Sequence, residues 1–97
     1  MPTSQARVQT NEARRYLQQL CRHWGHKFSV EATPEHGTVP FGADRVCTLD
    51  AEPDALVMRI DTADPVNLTR LETVVSDHLQ RFAFREGLGD VRWSRAA

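Results

Sequence analysis

The chain of 97 residues is long enough for one domain, residues 1–97, but leaves little interior space for a deep active site. Its 40% hydrophobic and 26% charged residues are typical of a soluble globular protein, and no apolar run approaches the roughly 18 residues of a membrane span. The net charge of −1 argues against a nucleic-acid binder, which is usually strongly basic. The first residues lack the apolar core of a secretory signal, so we expect a cytoplasmic protein.

The N-terminal third predicts a strand followed by a helix. Residues 6–9 can form a short strand, after which Thr10 or Asn11 can cap the helix. Apolar residues of that helix recur at intervals of three or four and form one stripe: Ala13, Leu17, Leu20 and Trp24. Gly25 follows the stripe, at the position where helices commonly end in a left-handed conformation.

A meander of four strands is predicted next. Apolar and polar residues alternate from Phe28 to Thr33, and the turn "TPEHG" leads to a short return strand, "TVPF", whose Pro40 is typical of a sheet edge or bulge. Two further strands each have one apolar face: Cys47, Leu49 and Ala51 in the first, and Leu56, Met58 and Ile60 in the second. Because only one face is apolar, we expect an antiparallel sheet with its other face in water.

A second helix and a last strand complete the prediction. Asp64 and Pro65 are typical of an N-cap and a first helical position, and the helix is predicted to run to about residues 85–86, before Gly87. Its apolar stripe is Leu68, Leu71, Val75, Leu79 and Phe82. With "DVRW" as a short closing strand, the order is β-α-β-β-β-β-α-β. This order predicts an α+β two-layer sandwich, in which two helices cover one face of an antiparallel sheet of four to six strands.

The end of the first helix carries several side chains with useful chemistry. At about 100° per residue, Cys21 and His23 lie on opposite sides of the apolar stripe, so they cannot share a metal ion. Cys21 is therefore predicted to be a small apolar residue at the margin of the core. His23 and His26 are three residues apart and could share an ion, but near a helix terminus they more often stabilise the helix dipole. A zinc site would also need His36 or His78.

His78 lies within the apolar stripe of the second helix. A buried imidazole needs partners for its nitrogens, and the usual partner is a backbone carbonyl or a nearby side chain. Arg81 and Arg85 follow along the same edge of the helix. The three side chains form a strip that could bind a carboxylate or phosphate, and the alternative is a solvated or ion-paired strip.

Three blocks of sequence, with Trp93 near the end, are distinctive: "RYLQQLCRHWGHK", "PEHGTVPFG" and "HLQRFAFRE". Together they resemble a bacterial family catalogued as domain of unknown function 2218, and the resemblance covers nearly the whole chain. The resemblance implies a compact α+β domain and brings no catalytic residues with it. It also implies proximity to siderophore-utilisation genes, and hence an accessory role in iron handling.

The leading hypothesis is a non-enzymatic domain that binds a small ligand or a protein partner, with no membrane or nucleic-acid partner. Its predicted ligand-binding residues border one shallow site: His23, His26, His78, Arg81 and Arg85. No nucleotide-binding, hydrolase or zinc-protease motif is present, and no cofactor is indicated. One alternative is a metal-binding protein or small enzyme that uses Cys21 or the histidines His23, His26 and His78. Another is a module that dimerises through an open sheet edge.

Overall fold

A computed structural model describes residues 2–96, in which six strands form one antiparallel sheet and two helices pack on one of its faces. The strands are β1 (Thr3–Gln9), β2 (Glu31–Ala32), β3 (His36–Gly42), β4 (Arg45–Glu52), β5 (Ala55–Thr62) and β6 (Ser94–Ala96). The helices are α1 (Ala13–Trp24) and α2 (Pro65–Phe82). The strand order is β2-β3-β4-β5-β1-β6. The predicted fold class and element order are confirmed.

One core fills the space between the helices and the sheet. Its centre is formed by paired residues of β4 and β5, in which Cys47 lies opposite Ile60 and Leu49 lies opposite Met58. The predicted α1 stripe is buried and is joined by Tyr16, which the prediction omitted. Each fully buried large side chain contributes about 1.5–3 kcal/mol relative to an exposed one. Within residues 2–96, no helix is both long and apolar enough to cross a membrane.

The turn after α1 differs from the prediction. Gly25 has a φ of −61°, in the right-handed region, so the predicted left-handed cap is wrong. The chain keeps turning, and the Phe28 N–H donates to the Trp24 carbonyl at 2.9 Å. Strand pairing therefore begins only at Glu31, three residues later than predicted. As a result Phe28 packs against Phe41 of β3 instead of taking a place in the sheet.

The start of α2 is confirmed, whereas its end is not. The Asp64 carboxylate accepts the Val66 N–H at 2.9 Å, and Pro65 occupies the first helical position. The helix ends at Phe82, and turns lead on to Gly87, whose φ of 65° suits a residue without a Cβ.

The last strand is held to α2 by a partly buried carboxylate, that of Glu72. Arg95 binds Glu72 with two hydrogen bonds of 2.7 and 3.0 Å, and the Ser4 hydroxyl of β1 donates to the same carboxylate at 2.6 Å. The Trp93 indole N–H donates to the Ser76 hydroxyl at 2.8 Å. Because Trp93 packs on α2, strand β6 forms after "DVRW", and the predicted position of the last strand is wrong.

We predict that the pair of Arg95 and Glu72, termed the Arg95–Glu72 clamp, is sensitive to acid. Hydrogen bonds with Arg95, and then with Ser4, hold the pKa of the Glu72 carboxyl below its ordinary value of 4.5. A lowered carboxyl pKa contributes stability above 4.5 that is lost as pH falls through the folded-state pKa. In urea unfolding between about pH 3 and pH 6, we expect Glu72→Gln to flatten the pH dependence of the unfolding free energy. The exposed control Glu31→Gln should keep the wild-type slope, and equal slopes for wild type and Glu72→Gln would contradict the clamp.

At Gly37, strand β3 lies in tight contact with α1. A Cβ at this position would lie 2.5 Å from the Cys21 sulfur, which is itself buried against the sheet. We expect Gly37→Ala to lower the unfolding free energy by about 1–3 kcal/mol, as overpacking does. In a Cys21→Ala background the same change should cost much less, because the sulfur is gone. An equal cost in both backgrounds, measured by urea unfolding, would show that the contact is not responsible.

Candidate ligand-binding groove

Three parts of the fold enclose a groove with a volume of about 490 Å³. One part is the end of α1 with the turn that follows it, the second is α2, and the third is the hairpin of β3 and β4. The apolar stripes of α1 and α2 turn both helices towards the sheet, and α1 stops before it covers the hairpin. We term this opening the basic groove, after the side chains that line it.

The lining of the basic groove is rich in nitrogen bases and lacks acids. Six of its eleven lining residues are basic or imidazole side chains: His23, His26, Lys27, Arg45, Arg70 and His78. Within the described chain, none of the lining residues is a carboxylate. Because permanent cations converge here and, in the described range, only Arg45 is paired with a carboxylate, that of Asp44 outside the lining, the groove favours negatively charged ligands.

The remaining lining residues are apolar: Trp24, Phe28, Phe41, Leu71 and Val74. The Phe41 ring packs edge-on against Trp24, with centroids 5.1 Å apart, and against Phe28, with centroids 5.0 Å apart. Trp24 is buried, whereas Phe28 and Phe41 are half-buried. The groove therefore combines an aromatic wall with a cationic rim.

His23 and His78 meet across the two helices. Their ring centroids lie 4.8 Å apart, and the ring planes are tilted by 47°. The His78 Nδ1 lies 2.7 Å from the Val74 carbonyl oxygen. Because a carbonyl only accepts, Nδ1 carries the proton and Nε2 is left to interact elsewhere. Of the two partners that the sequence left open for His78, a backbone carbonyl or a nearby side chain, the structure shows the carbonyl.

The positive charge of the groove acts on His23. Burial first, and then the nearby His78, Arg81, His26 and Lys27, lower the pKa of His23 below its ordinary value of 6.5. Each of these neighbours opposes a further positive charge on the ring. A bound anion would offset this repulsion.

The structure does not bring all five predicted ligand-binding residues together. His23, His26 and His78 line the basic groove, and Arg81 is close enough to lower the pKa of His23. Arg85 lies elsewhere: its guanidinium stacks 5.5 Å from the Phe84 ring, in a separate depression of about 670 Å³ between the start of α1 and the end of α2.

That second depression has balanced charges. Glu12 and Glu86 lie there beside Arg15 and Arg85, and Arg15 approaches Glu12 to 3.4 Å. The Glu86 carboxylate also accepts the Tyr16 hydroxyl hydrogen. Most polar side chains of this depression are therefore paired with one another, in contrast to those of the basic groove.

Eight of the eleven lining residues were not among the predicted ligand-binding residues: Trp24, Lys27, Phe28, Phe41, Arg45, Arg70, Leu71 and Val74. Arg70 had a usable signal, since it precedes Val74 and His78 at helical intervals of four. Arg45 and Phe41 had no such signal, because their approach to α2 depends on how the hairpin packs.

Cys21 and His36 lie apart from the basic groove. The Cys21 sulfur is buried against Gly37, and burial raises the pKa of this thiol. His36 lies on the opposite face of the sheet, where its Nδ1 is 2.6 Å from the Asp50 carboxylate. In the part of the chain that the structure describes, no three His, Cys, Asp or Glu side chains are arranged to hold a metal ion.

Comparison with known proteins places the chain in a family. A family model described as "uncharacterized protein conserved in bacteria (DUF2218)" matches residues 5–94. The chain belongs to this family. The chain is also similar to the NMR structure of PA4090 from Pseudomonas aeruginosa, with 46% sequence identity and a TM-score of 0.81. That match covers 97% of this chain and 96% of the other. Among curated proteins, none matches this DUF2218 chain.

We predict that the pKa of His23 depends on its neighbour His78. In NMR titrations we expect a His23 pKa below 6.5, and a higher value in His78→Gln because one positive neighbour is removed. His36→Gln, on the opposite face, should leave the value unchanged. Since the unfolded chain binds this proton more readily, the stability contribution of His23 is present above pH 6.5 and is lost as pH falls through the lowered pKa. A His23 pKa that does not respond to His78→Gln would contradict the coupling.

Proposed function

We propose that this DUF2218 domain is a cytoplasmic, non-enzymatic accessory protein whose basic groove binds a small organic anion. The observation that carries the proposal is the convergence of six basic or imidazole side chains, with no carboxylate among the lining residues that the structure describes. A volume of about 490 Å³ also suits a small molecule, because ligand pockets usually measure about 300–1,000 Å³.

The cations of the groove differ in how freely they can contact a ligand. Arg45 is held in place by the Asp44 carboxylate at 3.2 Å and by the Asn67 side-chain oxygen at 3.3 Å. The side chains of Lys27 and Arg70 have no hydrogen bond or ion pair with any residue in the described range 2–96. A planar guanidinium can donate two parallel hydrogen bonds to a carboxylate. Arg70 and Lys27 are therefore the expected contacts of the anionic group.

The chemistry of the lining supports binding more than covalent catalysis. Along the described chain, the groove residues include no hydroxyl, thiol or carboxylate side chain. Cys21 is a potential nucleophile, but it is buried and its pKa is raised. A reactive thiol needs a lowered pKa and access to solvent.

The iron context implied by the family resemblance suggests a natural ligand. We propose an anionic siderophore or its ferric complex, because such molecules combine negative charge with an organic body. The cationic rim and the aromatic wall of the basic groove are complementary to those two properties.

We expect a trianionic gallium tris-catecholate, a diamagnetic substitute for the ferric complex, to shift the backbone amide signals of the groove in NMR titrations. An uncharged gallium trihydroxamate should bind more weakly. Lys27→Gln combined with Arg70→Gln should weaken binding of the catecholate by about tenfold or more. The matched control is Arg92→Gln, an exposed arginine outside the groove.

The outcomes distinguish anion binding by the groove from the identity of a siderophore as its ligand. If benzoate binds in the groove but the gallium catecholate does not, anion binding stands and the siderophore ligand is wrong. If neither produces saturable shifts at groove residues, or if the double variant binds as tightly as wild type, the groove is not an anion site.

A further inference from the structure

We propose that the basic groove selects anions whose charged group is attached to an aromatic ring. This inference rests on the proposed function and names the ligand class of the same groove. In the proposed complex, the ligand's ring packs against Phe28 and Phe41, and its negative group faces Arg70, with Lys27 and the His23–His78 pair at the same opening.

The first argument is the run of rings along the groove. His23, His78, Trp24, Phe41 and Phe28 follow one another with neighbouring centroids 4.8, 5.3, 5.1 and 5.0 Å apart. Aromatic rings prefer such edge-to-face and tilted contacts, and a further ring can add to the run in the same manner. An inorganic anion or a small aliphatic acid would contact the cations and leave the ring surfaces in water.

The second argument is the position of Phe28. The residues from Phe28 onward alternate as a strand would, yet the chain continues to turn and the Phe28 ring packs edge-on against Phe41, with planes at 73°. Both rings are half-buried and line the opening. The two rings therefore offer an apolar aromatic surface that is directly accessible from the groove.

The third argument is the placement of charge relative to that surface. Arg70, Val74 and His78 follow at intervals of four residues, so they lie along one side of α2. At about 1.5 Å per residue, Arg70 and His78 are separated by ~12 Å along the helix axis, with the apolar Val74 between them. A ring that contacts this apolar segment places an acidic substituent near one of the two nitrogen-bearing side chains. The aromatic ring and the negative group of one ligand can thus both contact this side of α2.

The test compares four probes that vary charge and aromaticity separately: acetate, cyclohexanecarboxylate, benzoate and the uncharged benzamide. Each is titrated into the full chain while backbone amide shifts are followed by NMR. We expect benzoate to bind about fivefold more tightly than cyclohexanecarboxylate, with acetate and benzamide weaker than benzoate. Contacts between benzoate ring protons and the Phe28 or Phe41 ring, measured as intermolecular NOEs, should locate the ring.

A conservative variant separates ring recognition from folding. Phe28→Leu keeps an apolar side chain and removes the ring, so we expect it to bind benzoate and cyclohexanecarboxylate equally well. The matched control is Phe84→Leu, because Phe84 is 69% exposed and lies outside the groove. This control should keep the wild-type preference for benzoate.

Two results would overturn the inference while leaving the proposed function intact: equal affinity of wild type for benzoate and cyclohexanecarboxylate, or ring NOEs at a different surface with groove shifts still present for all carboxylates. If acetate, cyclohexanecarboxylate and benzoate all fail to shift the groove residues, both the inference and the proposed function are wrong. The NOE measurement uses the wild-type chain, so the test does not depend on the stability of any variant.

Discussion

Burial of the single apolar face of the sheet beneath α1 and α2 is the interaction on which the rest of this structure depends. A chain of 97 residues has one small core, and its centre is the layer of β4 and β5 side chains covered by both helices. The helices must lie side by side to cover that face, and they run in opposite directions. His23 therefore meets His78, whereas Tyr16, two turns earlier in α1, meets Glu86 beyond the end of α2.

The basic groove is a consequence of the same packing. The helix α1 ends at Trp24, whose ring packs on Phe41 of β3, and the turn that follows lays Phe28 on Phe41 instead of extending the sheet. The helix α2 passes the same place and adds Arg70 and His78. Desolvation, and then the nearby His78, Arg81, His26 and Lys27, oppose protonation of His23, and such a local electrostatic cost is common where a protein binds a ligand of opposite charge. The Arg95–Glu72 clamp lies at the other edge of the sheet and closes the core there.

The errors of the sequence prediction have physical causes that can be named. A glycine after a helical stripe usually adopts a left-handed cap, but Gly25 stays right-handed because the following turn continues as far as Phe28. In the same way, the alternation that begins at Phe28 suggests a strand, yet contact with Phe41 decides its position. Tertiary packing outweighs a local preference of about 1 kcal/mol in both cases. The prediction placed Arg85 on the same edge of the second helix as His78. Because α2 ends at Phe82, Arg85 lies beyond the helix, where its guanidinium stacks on the Phe84 ring.

By itself, the sequence determined the α+β class, the order of the elements, the family, the buried stripes and the need of the His78 ring for a hydrogen-bond partner. These features follow from periodicity, capping residues and the need to satisfy buried polar groups, all of which act within a few neighbouring residues. Only the tertiary structure decided that His23 meets His78, that Phe41 and Arg45 complete the groove, and that His36 lies on the opposite face of the sheet. Such contacts join residues far apart in the chain, so they depend on helix crossing and strand register, which local patterns do not specify.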